Sequence, residues 1–325
     1  MKLSFLFFGN KPDEKWQLAG QMGINYAIAK LAPEITGELP PWDFQSLKRS
    51  KDIFETNGFR LYGLEGDQFD MNRIKFGLDG RDEDIELYKK MLVNMGQLGI
   101  ELLCYNFMAG VGWYRTTTDI RERGGALVSG FDAAIAGKQP LTEFGEVGTE
   151  KIWENYQYFI RQVIPVAEQS GVKMALHPDD PPVSPLKGIG RIFIGADGIR
   201  KALSLSNSPS HGLTFCQGTF TTMGEDVAAL IREFGDSNRI HFVHIRDIKG
   251  NADCFRETFH DNGPTDMVAM FKCYKSIGFN GPIRSDHVPT MAGESNGQHG
   301  YAMKGNLFGI GYIKGIMETL RIAIE

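Results

Sequence analysis

MALHPDD, residues 174–180, is an apolar run that stops abruptly: His177 is followed by Pro178, and Pro181 and Pro182 come shortly after. Proline fixes φ and lacks an N–H, so a strand cannot continue through this segment and the His177 imidazole is left at the strand's end. Three later runs repeat the arrangement. LTFCQG (213–218) ends on Cys216, IHFVHIRD (240–247) on His244 and PIRSDHVP (282–289) on Asp286, each about one β/α unit after the last. In a parallel β/α protein the side chains at the strand tips converge, so four ligand-type residues on four successive tips predict one metal centre.

The same alternation of short apolar runs and helical periodicity extends through the whole chain. Eight strands are expected: Leu3–Phe8, Asn25–Ala29, Arg60–Leu64, Glu101–Asn106, Lys173–Leu176, Gly212–Phe215, Ile240–Ile245 and Pro282–Ser285. Eight parallel strands close a (β/α)8 TIM barrel, an α/β fold that holds 325 residues as a single domain. Helices are predicted over Asp82–Leu98 and Trp153–Ser170, whose apolar residues recur every three or four positions and which stop at Gly99 and Gly171. Residues 107–151, rich in glycine and mixed polar residues, read as a loop excursion over the barrel mouth.

Composition narrows the function. Apolar residues make up 42% and charged residues 23%, the balance of a globular enzyme. The net charge of -5 is spread without basic clusters, which argues against nucleic acid as a partner. The opening MKLSFLFFGN reads as a first buried strand rather than a signal peptide, and no stretch is apolar enough for a membrane span. Cys104, Cys216, Cys254 and Cys273 have no close spacing, so reduced thiols in a cytoplasm are expected.

Taken singly, His177 also fits a histidine bonded to a loop carbonyl, and Cys216 a buried inert thiol. The joint pattern favours the metal. Two imidazoles, a thiolate and a carboxylate suit Mn²⁺, Fe²⁺ or Zn²⁺ and not the all-oxygen shells of Mg²⁺ or Ca²⁺. Alternation places Arg246 on the strand face of His244, where its fork suits a substrate carboxylate. His260 in ETFHDNGPTDM (257–267), His287 beside Asp286, and Tyr301 in HGYAMKG (299–305) are candidate proton donors or acceptors. Asn106, Trp113, Arg115 and Asp179 are candidate substrate contacts, offering aromatic surface, a cation and polar groups that suit a polyol acid.

These segments resemble the mannonate dehydratases, metal-dependent barrels related to xylose-isomerase-like sugar enzymes. The resemblance rests on CYNFM (104–108) followed by Trp113-x-Arg115-Thr116, KMALHPDDPP (173–182), GLTFCQG (212–218), FVHIRD (242–247), the segment around His260, and RSDHVPTMAGE (284–294). It implies elimination of water from a small sugar acid, D-mannonate giving 2-keto-3-deoxy-D-gluconate. It also implies Mn²⁺ or Fe²⁺ held at His177, Cys216, His244 and Asp286, and a homo-oligomer. A metal-dependent isomerase or epimerase on the same barrel is the alternative. The chain departs from the family pattern in EGDQFDMNRIKFG (65–77) and at Asn306 in KGNLF (304–308), so a shifted aldonate preference is expected.

Overall fold

The computed structural model describes residues 1–325. Eight strands form the ring: β1 Lys2–Phe8, β2 Tyr26–Lys30, β3 Arg60–Glu65, β4 Leu102–Tyr105, β5 Lys173–Leu176, β6 His211–Cys216, β7 Ile240–Ile245 and β8 Pro282–Ser285. All neighbours are parallel, and β1 pairs with both β2 and β8, which closes the barrel. These are the eight strands read from the sequence.

Strand periodicity explains why chemistry gathers at one end. On β7, Val243 and Ile245 point outward into the large core shared with the helices. Phe242 points inward and packs with Ile28, Leu102, Cys104 and Ala175 in a buried interior layer. The next inward position on each strand is two residues on: Lys30 after Ile28, His177 after Ala175, His244 after Phe242. The apolar layer therefore plugs the barrel and leaves a ring of polar side chains above it.

The surrounding helices follow local rules. Helix Arg81–Gln97 carries Asp82, Glu83 and Asp84 in its first turn, where acidic side chains favour the positive end of the helix dipole. Gly99 follows its end with φ +69°, the left-handed conformation in which a helix reverses at little cost for glycine. Helix Thr149–Gln169 starts earlier than its apolar periodicity suggested and buries Tyr156, Phe159, Ile160 and Val163. No helix is long and apolar enough to cross a membrane.

Residues 107–151 are not plain loop. They contain strands Thr117–Arg121 and Leu127–Asp132, which join Ile248–Gly250 and Cys254–Glu257 in a four-stranded antiparallel sheet. The sheet is built from chain leaving the C-terminal ends of β4 and β7. It brings Arg115 and Glu257, remote in sequence, to within 2.5 Å.

His211, fully buried at the start of β6, gives the fold a pH limit. Burial, with Arg239 nearby, pushes its imidazole down to about 4. Between its ordinary value near 6.5 and about 4 the unfolded chain binds a proton that the folded chain does not. Stability is thus fully present above pH 6.5 and falls as pH drops toward 4, by roughly 3 kcal/mol from this residue. Urea unfolding of wild type and His211→Gln at pH 7 and pH 4.5 measures it: the variant is expected to lose less stability on acidification.

Candidate active site

A cleft of about 330 Å³ opens at the C-terminal ends of the strands, lined by Lys30, Glu65, Asn106, Trp113, His177 and Tyr301 among others. This is the end at which barrels of this kind place catalytic groups.

His177, Cys216 and His244 offer ligand atoms that all lie within 4.8 Å of one another. The His177 Nδ1 lies 2.7 Å from the Pro178 carbonyl, so Nδ1 carries the proton and Nε2 keeps the lone pair. The Nε2 of His244 is buried and makes no hydrogen bond, with Glu65 Oε2 3.5 Å away, while Nδ1 lies 3.4 Å from the Arg284 guanidinium. Asp286 is the outer member of the set: one of its oxygens lies 3.7 Å from the Cys216 sulfur and 3.8 Å from His244 Nδ1.

The charges around these donors do not balance on their own. Glu65, Asp180, Glu257 and Asp286 face Arg115, Arg246 and Arg284, with contacts that include Arg115–Asp180 (2.7 Å), Arg246–Glu257 (2.9 Å) and Arg284–Asp286 (2.8 Å). Burial pushes each carboxyl up. The guanidiniums outweigh it, Arg284 holding Glu65 at about 2 and Arg246 holding Glu257 at about 2. Asp180 and Asp286 are likewise held below the usual carboxylate range, chiefly by Arg115 and Arg284 respectively. Four carboxylates against three guanidiniums leave one negative charge in a buried place, and a Cys216 thiolate, the form in which sulfur binds metal, makes two. A divalent cation would supply the missing charge. The donor types and this charge count both fit one.

Beside the donors lies a proton-handling pair. The Tyr301 hydroxyl is 3.1 Å from His287 Nε2, and His287 Nδ1 is 3.1 Å from Glu257 Oε1. Ionised Glu257 accepts the Nδ1 proton, which leaves Nε2 as an acceptor facing the phenol. Burial, reinforced by the negative charge of Asp286, raises Tyr301 well above its ordinary value, so the phenol keeps its proton at neutral pH. Trp113 packs against His287 with ring centroids 4.9 Å apart.

Four of the residues expected at the substrate serve elsewhere. Arg246 is fully buried: it donates to Glu257, to Asp180 (2.8 Å) and to Thr219 (2.8 Å), and its Nε lies 3.1 Å from Asp286. Its charge is claimed by these closer carboxylates, and it does not reach the lining of the cleft. Arg115 is in the same position, held by Asp180 and Glu257. Asp179 accepts from the backbone N–H groups of Ile192 and Phe193 at 3.0 and 2.7 Å and so anchors the loop after β5. His260 is buried against Ser285 Oγ (3.1 Å), and burial lowers it to about 4, so it stays a neutral packing residue outside the cleft. Asn306 is also buried, bonded to Ala302 O at the start of the last helix.

Glu65 and Arg284 were missed by sequence reasoning. They form an ion pair in the wall of the cleft, from opposite parts of the chain. Arg284 could have been found by alternation, since it precedes Asp286 by two positions; Glu65 ends β3 just as the ligands end theirs.

The family model for D-mannonate dehydratase (UxuA) matches residues 1–144 and 136–324. Mannonate dehydratase 2 of Halalkalibacterium halodurans is 34% identical over 351 residues, covering 98% of this chain and 99% of the relative. The crystal structure of mannonate dehydratase from Streptococcus suis superposes with a TM-score of 0.91 at 28% identity, covering 100% of this chain and 97% of that one. The xylose isomerase domain protein of Planctomyces limnophilus, at 10% identity and a TM-score of 0.63 over 99% of this chain and 98% of its own, shares the fold alone. Full-length identity and superposition thus agree with the strand-tip donors and the cleft they border: the chain belongs to the mannonate dehydratase family.

Proposed function

We propose that this protein catalyses the metal-dependent dehydration of D-mannonate, or a close aldonate, to the 2-keto-3-deoxy acid and water. The observation that carries this reading is the meeting of a metal-donor set and a separate proton-handling pair in one cleft. An isomerase needs no acid for a departing hydroxyl; a dehydratase does.

His177, Cys216, His244 and Asp286 would hold the ion, with Mn²⁺ or Fe²⁺ suited to the donors and Zn²⁺ also compatible. When bound, it supplies Lewis-acid stabilisation of the negative charge that develops when the proton beside the substrate carboxylate is removed. The chain's own groups handle the protons. As the Tyr301 O–H turns from His287 Nε2 to the substrate's C3 oxygen, the freed Nε2 takes the proton from C2, and the C2 electron pair forms the C2–C3 double bond as the C3–O bond breaks. Tyr301 donates its proton to the departing oxygen, which leaves as water. The imidazolium then returns a proton to the phenolate across their 3.1 Å contact, and the enol becomes the ketone. Glu257 keeps His287 in the required tautomer throughout. A cytoplasmic, reducing compartment belongs with this reading, because Cys216 must stay unoxidised to bind the ion.

The test is incubation of metal-loaded protein with D-mannonate and a panel of aldonates and aldoses, followed by assay for keto-deoxy acids. Formation of a 2-keto-3-deoxy acid is expected. If aldoses and ketoses were interconverted and no aldonate lost water, the isomerase reading would replace this one. Cys216→Ala is expected to reduce bound divalent metal well below one equivalent and to abolish turnover; full metal content by elemental analysis would remove the thiol from the site.

A further inference from the structure

We propose that Lys30, Asp67 and Asn106 form a distal subsite that recognises the uncharged, hydroxyl-bearing end of the sugar acid and favours it over a second anionic group. The assignment rests on the aldonate reading above, with the acid end directed toward the metal donors.

The barrel order places β2 and β3 across the mouth from β6 and β7, so a chain-like substrate anchored at His177, Cys216 and His244 extends toward Lys30 and Asp67. Both line the cleft, as does Asn106. The buried guanidiniums are ion-paired with carboxylates, whereas the Lys30 side chain is 31% exposed and its partner is the exposed Glu34 at 3.7 Å. Lys75, almost fully buried, donates to one Asp67 oxygen at 2.7 Å and to Asn106 Oδ1 at 3.0 Å. The Met108 backbone N–H also donates to Asn106 Oδ1, at 3.0 Å. Two donors on one atom identify it as the amide oxygen, which leaves the Asn106 N–H₂ group to donate into the cleft. The second Asp67 oxygen remains as an acceptor.

The groups are held in place. Buried Gln68 accepts from Leu31 N at 2.9 Å and donates to Glu65 O (2.9 Å) and Gly66 O (3.1 Å), fastening the loop after β3 to the end of β2. Gly66 has φ +78°, and a Cβ built there would lie 3.8 Å from Lys30 Cδ, so the lysine stem runs beside this loop.

Donor, acceptor and donor in one place suit hydroxyls, each of which both donates and accepts. A carboxylate or phosphate ester offers acceptors only, and the subsite carries no net charge to draw it, since Lys75 balances Asp67 and Glu34 balances Lys30. Specificity here comes from hydrogen-bonding complementarity without a surplus positive charge.

The experiment compares an aldonate with the corresponding aldarate, by kcat/KM and by isothermal titration, in wild type, Asp67→Asn and Lys30→Met, all metal-loaded. Asp67→Asn keeps an acceptor for Lys75, leaves that lysine's charge unbalanced and gains a donor for an anion; it is expected to reduce the preference for the aldonate at least about tenfold. Lys30→Met, at a half-buried position outside the packed core, is expected to raise the aldonate KM roughly tenfold with kcat nearly unchanged. Unchanged discrimination in the first variant together with unchanged KM in the second would overturn the subsite. If the wild type bound aldonates with Asp67-dependent selectivity but never dehydrated them, the subsite would stand and the proposed reaction would fall.

Discussion

Tyr301→Phe is expected to lower kcat roughly 10²- to 10⁴-fold while leaving metal content, fold and KM close to wild type. The substitution removes one oxygen from a buried ring that packs edge-on against Phe8 and His287, so little packing is lost. What is lost is the proton aimed at the leaving group. Burial keeps that phenol protonated, and no other O–H donor approaches His287 Nε2 as closely. The informative readout is the split between kcat and KM, with stability measured alongside. A variant that lost substrate affinity but kept turnover would make Tyr301 a binding residue and leave the leaving group to another acid.

Arg246→Met is expected to destabilise the protein by about 3–5 kcal/mol, the usual consequence of removing one partner from a buried ionic cluster. The Arg246 guanidinium faces Asp180, Glu257 and Asp286, and deleting it leaves these carboxylates with too little positive charge. Arg246→Lys keeps the charge but cannot span three carboxylates and Thr219, so a smaller loss is expected. Urea or thermal unfolding reads the effect directly. Full stability in both variants, with only KM raised for acid substrates, would return Arg246 to the role its strand position suggested.

That contrast shows where sequence reasoning succeeded and where it stopped. The convergence of His177, Cys216 and His244 was legible because each ends an apolar run at a stop signal, and strand ends in a parallel barrel share one location. Tyr301 and His287 were legible as chemistry-bearing residues beside the last strand, but their 3.1 Å contact was not. The four-stranded sheet over residues that read as loop was illegible too. Thr117–Arg121 and Leu127–Asp132 are short and mixed in polarity, and half of their sheet is supplied by chain more than a hundred residues away.

By itself the sequence determined the eight-stranded barrel, the end of it that carries chemistry and the donor types available to a metal. Those properties follow from two-residue alternation, proline stops and residue chemistry, which act within a few positions along the chain. Only the tertiary structure decided which charged groups face the cleft and which neutralise one another beneath it. Arg246 and Arg115 have the same appearance in sequence as Lys30, yet only Lys30 lines the cleft. Their roles differ because electrostatic energy depends on distance through space and on burial, and Arg115–Glu257 and Glu65–Arg284 are brought together only when the ring closes.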